Sequence, residues 1–320
     1  MSIISNNLQQ AVALLQANEL VAIPTETVYG LAGNAFSDVA INKIFAMKNR
    51  PHFNPLIVHI HSVQELSKIV KSVPNKAQLL ADAFWPGPLT LVLPKKDTIS
   101  SLVSARKDTV AVRIPNHPVA LALLKMLPFP LAAPSANPFG SISPTTAGHV
   151  ERYFKDKLQM VLQGGDCMNG IESTIIGFTD GEPVLYRHGS ISLEDIQAVV
   201  GNVIVQTKEN HAPQAPGMLD RHYAPNTKTV LTDKIENYLN PSSDLKIGII
   251  TFSKTQKPNH VAYLEVLSPK GDLKEATANL YSALHRLDSL GLDLIIAERF
   301  PNYGLGKSIN DRLERATKSK

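Results

Sequence analysis

The chain has little with which to build a redox, metal or membrane protein. A single cysteine, Cys167, stands in 320 residues, so no disulfide can close within the chain and a thiolate zinc site lacks its ligands. That points to a reducing compartment. No apolar run approaches the ~18 residues a spanning helix needs. The N-terminal segment carries neither a basic stretch nor a small-residue cleavage site, and Leu8 to Leu20 reads as an amphipathic helix. The expectation is a cytoplasmic protein without membrane attachment. An excess of one charge sign is also missing. The net charge is +4, with 17 basic and 16 acidic side chains in residues 1–210 and 15 and 12 in residues 211–320. No basic block demands a nucleic-acid surface, and a pI near 9.0 leaves room for weak RNA binding only.

What is present suits an enzyme-sized α/β chain. Hydrophobic residues make up 43% and charged residues 19%, enough to bury the cores of two domains. Strands are expected at 20–23, 56–60, 89–93, 110–114, 131–133, 173–178 and 183–187, with helical patterns at 39–48, 63–84 and 118–127. Some strands follow one another too closely for crossover helices, so a mixed sheet is expected over residues 1–207. Residues 208–227 hold Pro213, Pro216, Gly217 and Pro225 and read as an extended connection. Beyond it βα alternation resumes, with strands at 246–252, 263–267 and 292–297 and helices at 273–290 and 308–316. Residues 228–320 are therefore expected to form a small three-layer, Rossmann-like α/β domain.

Short polar groups and cations gather at a few places. Pro24 to Leu31 ends a strand in a turn carrying the Thr25 and Thr27 hydroxyls and the Glu26 carboxylate. Lys48 and Arg50 close a helical pattern just ahead of Asn54 and the next strand, which should bring hydroxyls and cations to one rim. The pair reads either as a phosphate grip or as favourable cations at a helix C-terminus. Arg113 lies on a strand face among apolar neighbours and needs a partner, either a ligand carboxylate or an internal acid such as Glu26. Ala133 through Thr145 combines small residues with Ser135, Asn137, Ser141 and Ser143, more short polar groups than capping a helix near Thr145 requires. Gly164-Gly165 and Gly170 through Thr174 suit an anion cradle or an ordinary hairpin loop. Gly304 to Ser308 imitates a phosphate loop, but Pro301 stands where its first glycine belongs. His59 and His61 share a strand face without a third metal ligand, and His59 faces the hydroxyl rim.

Taken in order, Pro24–Leu31, Lys48-Asn49-Arg50-Pro51 to Leu56, Phe84–Leu91, Val112–Pro115, Pro134–Asn137 and Ser173–Ile175 resemble the YrdC/Sua5 family. Pro216–Met218 and Arg221–Pro225 look like the linker, and 284–297 with 304–316 look like the additional domain, of the longer Sua5 type. The resemblance implies a YrdC-like twisted mixed sheet and a smaller C-terminal Sua5 domain. It also implies synthesis of threonylcarbamoyl-AMP and pyrophosphate from L-threonine, bicarbonate or CO2, and ATP with Mg2+. The product would pass to the tRNA threonylcarbamoyl-transferase machinery acting on adenosine 37. Carried over position by position, Thr27, His59, Arg113, Ala133 and Ser173 would hold threonine. Arg50, Asn54, Thr109, Ser135, Ser143, Arg187 and Tyr223 would hold ATP, Lys48 and Arg50 would act on the phosphates, and the linker would serve as a lid. Two departures from the family pattern are Gly-Leu-Ala-Gly in the turn after Tyr29 and Pro138-Phe139-Gly140 ahead of Ser143. Competing readings are a carbamoyl-transfer module, which the lone cysteine disfavours, and an RNA-binding module, which the weak charge disfavours.

Overall fold

The computed structural model describes residues 2–208, 213–219, 222–239 and 244–318. Part of the expected linker, 209–212 and 220–221 with Arg221, lies outside the described residues, as do 319–320 of the tail. Among the described residues eleven strands form one mixed sheet. Its order is Ile4–Ser5, Val161–Leu162, Val21–Ile23, Gly30–Asn34, Leu131–Ala132, Ile57–His59, Thr109–Arg113, Leu89–Pro94, Thr174–Thr179, Glu182–Arg187 and Ile204–Val205. Parallel and antiparallel neighbours alternate irregularly across it, as the short connections require. A second sheet, wholly parallel, orders Thr229–Thr232, Leu294–Glu298, Ile247–Thr251 and Tyr263–Val266.

Both faces of the first sheet are buried. Ala22 joins the main core while its neighbours Val21 and Ile23 join a second one, so the strand is apolar without alternation. A third apolar patch of Ile57, Val92, Ala111, Ile175, Val184 and Tyr186 is covered by Ala215 and Met218. This corrects the reading of 208–227 as an unpacked connection. Its described part has no regular structure, yet Ala215 and Met218 are fully buried, because the sheet face beneath them is apolar and needs a cover.

Three further expectations change. The pattern at 63–84 is broken into the 3-10 turn Val63–Glu65 and the helices Leu66–Ile69 and Asn75–Phe84. Pro74 lacks an amide hydrogen and drives the preceding residue extended, and Val70 instead bridges to Lys95. Gly-Leu-Ala-Gly after Tyr29 is no turn: Gly30–Asn34 is a buried strand paired antiparallel with Val21–Ile23. Its weak β-propensity hid it, and its small residues fit close neighbours: a Cβ on Gly33 would meet Leu20 at 2.9 Å and one on Gly30 would meet Ala133 at 3.2 Å. The strand Thr229–Thr232 was also missed. The false phosphate loop begins the helix Leu305–Ala316, where Lys307 pairs with Glu194 and Ser308 Oγ donates to the Gly189 carbonyl.

The two sheets meet through helices. His149 of Ala147–Phe154 stacks on His285 of Leu273–Asp288 with ring centroids 3.9 Å apart. Burial depresses both imidazoles, His149 to about 3 with help from His285, and His285 to about 4. Both are neutral in the folded protein at pH 7. The unfolded chain takes up these protons near pH 6.5 and the folded chain only near 3–4, so their contribution is complete above pH 6.5 and lost as pH falls toward 4. Thermal melting should therefore fall over that window by the equivalent of a few kcal/mol, and His285→Gln should flatten the slope. An unchanged pH profile in that variant would remove the pair from the account.

Candidate functional site

The helix Asp38–Lys48 starts at Ser37, whose hydroxyl accepts from the Ala40 amide, and carries Asp38 in its first turn and Lys48 in its last. It stops at Asn49, which takes the left-handed conformation at φ 51° that asparagine tolerates. The chain then turns sharply, and Arg50 swings back over the sheet. Its Nε donates to the Asn54 carbonyl at 3.1 Å and Nη2 to the Pro55 carbonyl at 2.7 Å. The turn at 50–55 thus locks the guanidinium fork in place.

Arg50 faces a cavity lined also by Thr25, Thr27, Gly30, Ile57, His59, Arg113, Ala133, Ser135, Glu172, Ser173, Arg187, Pro216, Gly217, His222 and Tyr223. All five residues expected on the threonine side are brought together here. Of the nucleotide-side residues, Arg50, Ser135, Arg187 and Tyr223 line the wall. The strand-end motifs predict a ligand at a rim, whereas the cavity floor is the face of the sheet. Neighbouring strands run in both directions, so no common C-terminal edge exists; instead period-two alternation gathers Ile57 with His59, and Ala111 with Arg113, on one surface. Arg187 reaches that face through a register shift between Leu185 and Arg187.

The remaining expected residues lie behind the wall. Lys48 is buried, its Nζ donating to the carbonyls of Ser135, at 2.5 Å, and Asn137. Burial, then Arg50, holds its pKa well below the ordinary value, with Glu172 opposing. Ser143 Oγ donates to Glu172 Oε1 at 2.6 Å. Asn54 is buried with neither side-chain Oδ1 nor Nδ2 bonded to the protein. Thr109 is half-buried opposite Pro94, at the far end of the strand from Arg113 and outside the cavity wall. Phe139 sets its ring edge-on to His222 of the linker, with centroids 5.7 Å apart.

Arg113 finds the internal acid. Its Nη2 lies 2.7 Å from Glu26 Oε1, its Nη1 donates to Thr27 Oγ1 at 2.8 Å and its Nε to the Gly87 carbonyl at 3.2 Å. The contact with Glu26 is an ion pair without hydrogen-bond alignment, so Nη2 and both carboxylate oxygens keep unused capacity. His59 is held down to about 3 by burial and by Arg113, and its Nδ1 has no protein partner. Arg187 wraps Ser173, with Nε and Nη2 on its carbonyl and Nη2 on its hydroxyl, while Nη1 reaches the Pro216 carbonyl in the roof.

Three residues escaped the sequence reading as site residues: Glu172, Gly217 and His222. A buried acid of this kind has no local signal, because its Tyr281 and Arg312 partners are more than a hundred residues away. Gly217 has φ 89° and closes on Arg187, which would stand 2.6 Å from a Cβ there. Tyr223, whose bulky side chain disfavours positive φ, sits at φ 63° with its buried Oη unpaired. The arrangement concentrates positive charge: burial first and the nearby Arg187 second push Arg50 down to about 9.

This geometry has close relatives. The chain matches the family described as telomere recombination over residues 13–189, and the C-terminal domain of threonylcarbamoyl-AMP synthase over residues 191–317. It is 40% identical to a threonylcarbamoyl-AMP synthase of Pyrococcus abyssi, covering 96% of this chain and 93% of that one. It is also 40% identical to one of Bacillus subtilis, covering 96% and 92%. The crystal structure of P. abyssi Sua5 complexed with L-threonine superposes with a TM-score of 0.90 at 38% identity, over 97% of this chain and 94% of the other. With both regions matched in order along nearly its whole length, the chain belongs to the YrdC/Sua5 family, in its two-domain form.

Proposed function

We propose that this protein is a threonylcarbamoyl-AMP synthase, joining L-threonine, bicarbonate or CO2, and ATP with release of pyrophosphate. The observation that carries the reading is the set of buried polar atoms without hydrogen-bond partners in the wall of one cationic cavity: His59 Nδ1, Arg113 Nη2, His222 Nδ1 and Tyr223 Oη. Buried polar groups are normally satisfied, so this density calls for a polar, charged ligand. The family relationship supports L-threonine and ATP as that ligand.

In this reading the threonine carboxylate meets Arg113, whose other side Glu26 neutralises, and Thr27, His59, Ala133 and Ser173 shape the pocket around the side chain. The amine, deprotonated, adds to the carbon of CO2, and loss of a second proton leaves a carbamate. A carbamate oxygen attacks the α-phosphorus, the bond from that phosphorus to the bridging oxygen breaks, and pyrophosphate departs. Nothing in this sequence needs a covalent protein nucleophile. Arg50 and Arg187 stabilise charge on the phosphates, Tyr223, Ser135, Asn54 and Ser143 serve the nucleotide, and Lys48 steadies the 135–137 loop beneath it. The metal would enter as the magnesium complex of ATP, with the phosphates as its main ligands, because the described wall carries only one carboxylate, Glu172, and that group is already bonded. Magnesium so bound would screen phosphate charge. The product would serve tRNA threonylcarbamoylation in the cytoplasm; no helix of the described residues is long and apolar enough to cross a membrane.

The linker forms the roof through Pro216, Gly217, His222 and Tyr223, and leaves about 40 Å³ of free space. That holds a few waters at ~10–15 Å³ each and no nucleotide, so the roof must lift for ATP and close again to exclude water from the mixed anhydride. Gly217→Val, which forces a side chain against Arg187 and Tyr223, is expected to cut product formation at least about tenfold and to raise the share of free AMP. Normal turnover with a normal product ratio would refute the lid. The reading as a whole is tested by pyrophosphate release from ATP in bicarbonate buffer with Mg2+. Dependence on both threonine and bicarbonate is expected; release without threonine would point to another acceptor, and no release from folded protein would overturn it.

A further inference from the structure

We propose that Tyr281 and Arg312, both in the C-terminal unit, are positioning residues for the nucleotide half of the cavity and act through the Glu172 carboxylate. The proposal rests on the synthase reading above and adds a role for the second domain within it.

Glu172 lies on the cavity wall, and its bonds leave little freedom. Oε1 accepts from Ser143 Oγ at 2.6 Å and Tyr281 Oη at 3.2 Å; Oε2 accepts from Tyr281 Oη at 3.0 Å and Arg312 Nε at 3.1 Å. Arg312 is fully buried, with Nη1 on Asp311 at 2.9 Å. A buried cation so far from solvent persists only when its partners hold it. One face of the helix Leu273–Asp288 repeats the grip. His285 Nε2 meets the Ser143 carbonyl at 3.1 Å, and Ser282 Oγ lies 3.0 Å from Thr145 Oγ1. Tyr281 and His285, four residues apart, share that face.

The same two residues meet the other side of the nucleotide half. The Arg312 guanidinium stands 5.0 Å over the Tyr223 ring, and the Tyr281 ring is 5.8 Å from it. Ser143 behind the wall and Tyr223 in the roof are thus both held from the C-terminal unit. On the threonine side the pattern is absent: among the described residues, Thr27, His59, Arg113 and Ala133 make no hydrogen bond to that unit. A simple adhesive interface would have no reason to converge on one carboxylate in the wall. Without Arg312, Glu172 would lose its ion pair beside incoming phosphates, and Ser143 would lose its fixed acceptor.

The test separates the two substrates. Tyr281→Phe removes one hydroxyl and should leave melting near wild type, yet raise the apparent KM for ATP about tenfold, as for one hydrogen bond to a charged group, with the KM for threonine unchanged. Arg312→Gln should do more, and Arg312→Lys should recover part of the loss. Arg286→Ala, on the same helix as Tyr281, removes a surface pair with Glu265 of the strand Tyr263–Val266 and should change neither. ATP affinity of the full chain measured by calorimetry should follow the same order, so the inference is tested even if the wild type makes no product. Equal shifts for both substrates, or none in Tyr281→Phe, would reduce these residues to interface packing.

Discussion

Replacing Arg50 by alanine is expected to lower threonine-dependent pyrophosphate release by about a hundredfold, the range seen when one preorganised donor is removed from a developing charge. The fork is held by the carbonyls of Asn54 and Pro55, so it meets phosphate without reorganising and its loss should appear in kcat. The fold should survive, because those two carbonyls sit in a turn that water can reach once the side chain is gone. Near-normal turnover would sink the phosphate assignment. Lys48→Ala should lose at least about tenfold by a different route, since its amino group ties down the Ser135 and Asn137 carbonyls rather than facing the cavity. A KM effect on ATP larger than the kcat effect would mark that difference.

Arg113→Ala carries the second large effect, in two parts. Glu26 would be left buried and unpaired, costing about 3–5 kcal/mol of stability. The threonine carboxylate would lose its fork, raising the KM for threonine by roughly tenfold or more at unchanged KM for ATP. Arg113→Lys separates them: it keeps a charge against Glu26 and so should melt close to wild type, while still losing bidentate recognition. An effect confined to ATP would mean that the wrong ligand has been assigned to this side chain.

Much of the site was legible locally. Thr27, Arg50, His59, Arg113 and Ser173 sit in short segments where a strand or helix ends and where binding residues concentrate, whereas Arg187 entered only through the family resemblance. Glu172 was not legible: Gly170 to Thr174 reads as a cradle or a hairpin, and nothing near it announces Tyr281 and Arg312. The strand Gly30–Asn34 was hidden for the converse reason, since its small residues answer to close neighbours such as Ala133 and Leu20 rather than to strand propensity.

By itself the sequence determined the α/β class, the mixed direction of the first sheet, the break into two sheets and the cationic character of the cavity wall. These follow from apolar periodicity, connection length and residue chemistry, all of which act over a few residues. The tertiary structure alone decided that the cavity lies on the sheet face, that the proline-rich connection is its packed roof, and that the C-terminal unit reaches the wall through Glu172. Each of those depends on groups far apart in the chain, whose pairing is set by burial: an apolar face that must be covered, and buried charges that must find each other.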